Sequence, residues 1–309
     1  MKIAITGATG FIGQHLTRAF KSEGYHMIQI GRNDFAQGTD YLVDKIRGVQ
    51  VLINLAGAPI NRRWTAAYKR EISASRVETT KQLVDAIETL SHEPGKPVPE
   101  QFISTSAIGA FDCEGHYTEA DTPNANDFLG EVSKQWEAEA KRAITFGVPT
   151  NIFRFGLVLG QDGGLMKQLM LPFKLGLGGP LGDGQQHFSW IHIDDLVGAY
   201  FFIIKHQPNA DMFHLCAPNP VTNERFTQTL GKALHRSTRF RVPGLFLKLV
   251  YGKGSEVMLS GQSVTSSRLT ESGFCFRYPD ITSAICALVD ESAHPRTEAD
   301  LDRSIQRHG

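Results

Sequence analysis

The sequence predicts an α/β fold built on a doubly wound parallel sheet. Three observations carry this. Short apolar runs alternate with helix-patterned stretches from residue 1 to about 205, the order of repeated strand–helix–strand units. The first run, "KIAIT", leads through the glycine-spaced turn "TGATGFIG" into a helical pattern. The third run, "VQVLINLAG", ends in small residues, as a strand does where backbone must approach a ligand.

The elements follow in order. "KIAIT" and "HMIQI" read as short buried strands. Between them, Phe11, Ile12, Leu16 and Phe20 have helical spacing, and Gly24 is placed to stop the helix. "VQVLINLAG" is a third strand, and residues 65–90 form one long helical pattern. "HEPGKPVPE" is a loop by its Pro and Gly content. "QFISTSAIG" is a strand, 127–146 a helix, and "PTNIFRFGLVLG" a further strand. "FSWIHIDDLVGAYFFIIK" reads as a short strand turning into a helix. Residues 1–160, with 187–205 completing the sheet, are therefore expected to form one cofactor-binding domain. Residues 161–290 hold a long Gly-rich loop and a small C-terminal region. The charged stretch 291–309 reads as a tail.

Composition narrows the function. Lys and Arg balance Asp and Glu at 32 each, so nothing favours nucleic acid or an anionic membrane. Cys113, Cys216, Cys275 and Cys286 are scattered without a C-x-x-C pair. No metal site and no disulfide framework is expected, and a reducing cytoplasm suits the chain. The N-terminus opens directly into "MKIAITGATG", without the regions of a signal peptide. The most hydrophobic stretch, "LVGAYFFII", is well short of the ~20 residues of a membrane span. A small-molecule partner and a monomer or homodimer are expected.

The glycine turn supplies the chemistry. Gly7 permits a tight turn, Gly10 lets backbone approach a pyrophosphate, and Gly13 lets the helix pack close to the sheet. Thr9, Gly10, Phe11 and Ile12 sit where the helix N-terminus offers amides and a positive dipole. The second strand ends "IGRND". An acidic residue there would accept a ribose 2′-hydroxyl. Arg32 instead offers a guanidinium suited to a 2′-phosphate, although Asp34 two residues on is placed to serve a ribose. NADP(H) is expected over NAD(H).

"TGATGFIG", "INLAG", "STSAIG", "RFGLVLG" and "WIHIDD" stand in the order found in extended short-chain dehydrogenases/reductases. "LINLAGAPINRRW", "SRVETTKQLV", "DFLGEVSKQWE" and "PFKLGLGGPLGDGQQHFSWIHIDD" resemble the atypical, nucleoside-diphosphate-sugar epimerase-like branch of the NAD-dependent epimerase/dehydratase family. That branch ends in a domain of unknown function, here roughly "VPGLFLKLVYGKGSEVMLSGQSVTSSRLTESGFCFRY". The resemblance reaches residue 290 and implies a Rossmann doubly wound parallel sheet with a smaller C-terminal substrate region, and an NADP(H)-type cofactor. By position it implies that Asn54, Leu55, Ala56 and Gly57 lie beside the cofactor ribose and pyrophosphate. Ser104 and Thr105 would lie near the nicotinamide. Ser106 matches the catalytic serine, while a hydroxyl that merely caps the strand end explains it equally well.

The family's Tyr-x-x-x-Lys pair is missing. Aligning Phe128 with the tyrosine puts Val132 at the lysine, and anchoring on Glu137 gives Leu129 and Ser133. Lys134 is one or two residues off, and each residue turns a helix by about 100°. Phe128, Val132 and Trp136 recur every four residues and are expected to share a face over the nicotinamide region. After "SAIG" the two aromatics and glycine usual in the branch are replaced by Ala110, Phe111 and Asp112. Tyr117, Asp112, Glu114, His116 and Glu119 are candidate replacement acids or ordinary loop residues. Arg76 stands where extended enzymes place an asparagine, and needs a carboxylate or an anionic ligand. Trp64, Arg154, Gln185, Gln186, Trp190 and His192 are candidate substrate contacts, and Asp194 is the expected cap of the helix after them. Two functions follow: an NADP(H)-dependent oxidoreductase or epimerase-like enzyme without the Tyr–Lys pair, or a non-catalytic NADP(H)-binding redox sensor.

Overall fold

The computed structural model describes residues 1–293. The strands used below are β1 (Lys2–Thr6), β2 (His26–Ile30), β3 (Val51–Asn54), β4 (Gln101–Ala107), β5 (Thr150–Phe155), β6 (Leu157–Gly160), β7 (Trp190–His192) and β8 (Met212–Leu215). The helices are α1 (Phe11–Ser22), α2 (Ala66–Ala74), α3 (Val77–Ser91), α4 (Phe128–Lys141), α5 (Gly164–Lys174), α6 (Ile193–His206), α7 (Asn223–Ala233), α8 (Gly244–Tyr251) and α9 (Ile281–Ala293).

The central sheet has six strands in the order β2-β1-β3-β4-β5-β8, and every neighbouring pair is parallel. The chain leaves β1 to one side for β2 and to the other for β3. That reversal opens a crevice at the carboxyl ends of β1 and β3, where doubly wound sheets bind ligands.

Side chains alternate across each strand, so β1 feeds two cores. Ile3 and Ile5 pack with Leu16, Ala19 and Phe20 of α1 and with Leu196, Ala199, Tyr200 and Ile203 of α6. Ala4 on the other face joins Leu52, Phe102 and Ile152 against Leu83, Ile87 and Leu90 of α3. Each fully buried Leu, Ile or Phe side chain contributes roughly 1.5–3 kcal/mol. A third core, with Phe173, Trp190, Phe226, Leu230, Ile281 and Leu288, organises the C-terminal region.

The sheet differs from expectation at its last strand. Residues 187–205 do not complete it. β7 pairs with β6 in a separate two-stranded parallel sheet, and the sixth strand is β8, which pairs with β5. The run 150–160, read as one strand, switches sheets at Gly156. A Cβ there would lie 2.7 Å from the Ser189 oxygen and 2.9 Å from Cys216 Sγ, so only a bare backbone passes. β8 has just four residues, all buried, too few for a period to be read.

The long helical pattern 65–90 is two helices. Thr65 caps α2 by accepting from the Tyr68 amide at 3.1 Å. The chain then bends at Ser75 and Arg76, where Ser75 Oγ donates to the Ile72 carbonyl and accepts from the Ala58 amide. The Gly-rich segment after residue 160 contains α5. At the C-terminal end α9 runs to Ala293, and the expected tail from 294 onward lies outside the described residues.

Candidate functional site

The crevice is built from the glycine turn upward. Gly7 adopts φ +65°, and a Cβ on it would lie 2.8 Å from the Leu55 oxygen. A Cβ on Gly13 would lie 2.2 Å from the Gly7 oxygen. The turn, the start of α1 and the end of β3 thus meet backbone to backbone. The Gly10 amide closes the turn onto the Gly7 oxygen at 2.9 Å, and Thr9 and Gly10 face solvent. The amides of Phe11, Ile12 and Gly13 precede any acceptor within α1. With the helix dipole they form a cradle for an anion such as a pyrophosphate.

Thr6 and Asn54 are register partners across the crevice. Thr6 Oγ1 donates to Asn54 Oδ1 at 2.7 Å, and Asn54 Nδ2 donates to Thr80 Oγ1 at 2.7 Å. The Leu55 and Ala56 amides donate to Thr6 Oγ1 at 3.0 and 3.1 Å. Asn54 is fully buried, so its side chain shapes the turn, while Gly57 is exposed. Thr6 and Thr80 escape sequence reading because each matters only through its partner across the fold.

At the end of β2, Arg32 is exposed. Asp34 is turned inward. It accepts the Gly31 amide at 2.7 Å and pairs with Lys45 at 3.4 Å. The Gly31 amide and the Lys45 ammonium hold its carboxyl below the usual range.

β4 ends in Ser104, Thr105 and Ser106, all buried. Ser106 Oγ donates to Glu137 Oε1 of α4 at 2.6 Å. Arg154, its register partner on β5, clasps the same carboxylate with Nε and Nη2, each at 2.8 Å. The Arg154 guanidinium also lies 5.1 Å from the Phe111 ring centre. Arg154, expected to touch substrate, is thus committed to a buried ion pair. Glu137 fixes the helix register. Leu129, Ser133 and Glu137 share a face at four-residue spacing, and Leu129 Cβ comes within 3.8 Å of where Gly109 would carry a side chain. The positions facing the end of β4 are therefore Leu129 and Ser133, neither a phenol nor an amine.

Phe128 and Trp136 turn to the segment from Trp64 to Arg76, and Val132 is buried. Phe128 packs edge-on against Trp64 with ring centres 5.6 Å apart, and the Lys69 ammonium lies 4.6 Å from the Phe128 ring centre. The Arg76 guanidinium lies 5.4 Å from the Trp136 ring centre. Arg76 has neither of the anionic partners expected for it in any contact of the described residues. Its two terminal nitrogens donate to the Ile72 and Ala58 carbonyls at 3.1 and 3.0 Å. Desolvation pushes its pKa down to about 10. Lys134 is half-buried, with Nζ 3.5 Å from Asn126 Oδ1.

The remaining candidates are scattered. Trp190 is completely buried in the third core, so it forms no ligand wall. His192 is equally buried and packs on Tyr278 with ring centres 4.0 Å apart. His192 Nδ1, rather than Asp194, caps α6 by accepting the Asp194 amide at 3.1 Å. Gln185 is exposed and donates to Glu224, and Gln186 donates to the Leu181 and Met258 carbonyls. Tyr117 donates to Asp112 and stacks on Phe111 at 4.6 Å. Glu119 is buried and accepts the His214, Ser267 and Arg268 amides. These contacts tie a loop to the C-terminal region.

Comparison with known proteins agrees with this geometry. Residues 3–216 match the profile of the NAD dependent epimerase/dehydratase family, and residues 242–288 match a domain of unknown function, DUF1731. An epimerase family protein of Staphylococcus epidermidis is 35% identical over 297 residues, covering 92% of this chain and 98% of that one. A chloroplastic homolog of epimerase family protein SDR39U1 from Arabidopsis thaliana is 33% identical over 306 residues, covering 94% and 87%. The crystal structure of human epimerase family protein SDR39U1 with NADPH superposes with a TM-score of 0.82 at 29% identity, covering 94% of this chain and 99% of that one.

Proposed function

Because the chain belongs to the NAD-dependent epimerase/dehydratase family, we propose that it is an NADP(H)-dependent oxidoreductase or epimerase-like enzyme. It acts on a small polar substrate without the Tyr–Lys pair. The observation that carries the cofactor choice is the pair Arg32 and Asp34. Asp34 is consumed by the Gly31 amide and Lys45, which leaves Arg32 as the exposed charge where a 2′-substituent would lie. The human relative was crystallised with NADPH, which supports the same choice.

The glycine cradle and the Leu55–Gly57 turn would hold the dinucleotide, and Arg32 its 2′-phosphate. When bound, NADP(H) supplies or accepts a hydride. Ser106 donates its hydroxyl hydrogen bond to Glu137, so its lone pairs are left to accept one from a substrate hydroxyl. In the oxidative direction the substrate hydroxyl proton passes to Ser106 as the Ser106 proton moves to Glu137. Arg154 holds the carboxylate in place for the transfer. This relay replaces the missing phenol. The second reading, a non-catalytic NADP(H)-binding sensor, is favoured by the burial of Ser106, which is only 1% exposed.

Titrations test the cofactor choice. A charge-assisted contact to the 2′-phosphate is worth ~1.5–3 kcal/mol. NADPH should bind at least about tenfold tighter than NADH, and Arg32→Ala should remove most of that gap. Equal affinities in the unmodified protein would overturn it. NADPH oxidation across a panel of small carbonyl compounds separates the two readings. Turnover lost in Ser106→Ala with NADPH affinity intact supports the enzyme, and no turnover with any of them supports the sensor.

A further inference from the structure

The equal numbers of positive and negative residues conceal a segregated surface. Between Arg225 and Ser255 the chain has seven Lys or Arg and no Asp or Glu, and between Gly163 and Gly182 it has two Lys and no acid. The two segments lie side by side. Arg236 Nε donates to the Lys174 carbonyl at 2.8 Å, and the Gly182 and Val242 amides bond to the Val242 and Pro180 carbonyls at 2.9 and 2.8 Å.

The same surface is apolar. Among the described residues, eight of the twelve exposed large hydrophobic side chains lie on Leu171–Leu177 or Phe240–Val250. Phe240 is 83% exposed and Leu245 80%. On α8, Leu245, Phe246, Leu249 and Val250 follow the spacing of one helix face, while Leu247 on the opposite side is buried. The outward side of α8 is therefore its apolar side, the reverse of an ordinary surface helix. Lys248, Lys253, Arg236 and Arg239 flank it, all exposed. Arg241 is neutralised by Glu224 at 2.9 Å.

We infer that this face, α8 with the end of α5, docks the protein on an anionic phospholipid surface. Apolar side chains ringed by cations are what such a surface recognises: the apolar groups enter the acyl boundary and the cations meet the lipid phosphates. Charge decides against a second copy of the chain. A two-fold contact would bring Arg239 and Lys248 of both copies together with no acidic residue from these segments between them. No described helix is long and apolar enough to cross a membrane, so the attachment is peripheral. The docked face adjoins the candidate site, since Gly254, three residues past α8, packs where a Cβ would lie 2.3 Å from the Arg62 oxygen and 3.3 Å from the Trp64 ring.

Co-sedimentation of the full chain with vesicles tests this. Binding is expected to phosphatidylcholine vesicles carrying about a third phosphatidylglycerol and not to pure phosphatidylcholine, and to weaken about tenfold or more between low and high salt. Two variants, Lys248→Glu with Arg239→Glu and Leu245→Ser with Leu249→Ser, should each lower binding at least about tenfold. Unchanged NADPH affinity would show that each variant is folded. Equal binding to both vesicle types, or to neither, overturns the inference. So does a concentration-dependent dimer that the same substitutions disperse, which would give the face to a second copy. None of these outcomes depends on turnover, so the proposed activity stands or falls separately.

Discussion

Ser106 and Glu137, thirty-one positions apart, are joined by a 2.6 Å hydrogen bond in which the serine is the donor. With Arg154 on the other side of the carboxylate, Ser106, Glu137 and Arg154 form one buried hydrogen-bonded cluster at the end of β4. Glu137→Gln would leave the Arg154 guanidinium, 3% exposed, without its counter-charge. Breaking a buried pair in this way costs about 3–5 kcal/mol. Ser106→Ala leaves both arginine bonds intact and should cost about 1–2 kcal/mol. Urea unfolding of the two variants should rank them in that order, and a Glu137→Gln loss under about 1 kcal/mol would show that the pair is not closed in solution.

Gly13→Ala tests the cradle. The new methyl would sit 2.2 Å from the Gly7 oxygen, so α1 must move away from the turn. NADPH affinity should fall by more than about tenfold, since both the amides and the close backbone approach are lost. Calorimetric titration checks this, and affinity within twofold of the parent would mean that the cofactor does not rest on this turn.

Lys134→Ala tests the register of α4. Lys134 has one marginal contact, to Asn126, and points away from the face shared by Leu129, Ser133 and Glu137. Stability should change by no more than about 0.5 kcal/mol, with NADPH affinity and any turnover unchanged. A large loss of turnover with affinity intact would place the family's lysine here after all.

Acid stability should depend on two buried groups of opposite sign. Desolvation pushes His214 down to about 3, so the stability from holding it neutral is present above the unfolded pKa near 6.5 and is lost as pH falls toward 3. Desolvation raises Asp195 to about 7, so its contribution is present below the unfolded pKa near 3.9 and is lost as pH rises toward 7. Between about pH 4 and 6.5 the two offset each other. Asp195→Asn removes one side, and as pH falls from about 6.5 to 4 its denaturant midpoint should drop more steeply than the parent's. Parallel profiles would show that Asp195 titrates as an ordinary carboxylate.

What the sequence determined alone is local. The turn at Gly7–Gly13 is legible because φ preference, a close backbone approach and a helix start fall within one short stretch. Arg32 and Asp34 are legible as competitors for the same reason, though not which of them is spent on its own turn. Tertiary structure decided the rest. Glu137 was visible only as one of two possible anchors, and its contact with Ser106 depends on how α4 lies against β4. Arg154 and Trp190 look like binding residues until packing encloses them. The sixth strand is too short to carry a period. The basic apolar face exists only where two distant segments, each unremarkable in a total that sums to zero, are laid edge to edge. Side-chain period and turn chemistry act between near neighbours in the chain, whereas burial, ion pairing and surface charge are set by which segments the folded core brings together.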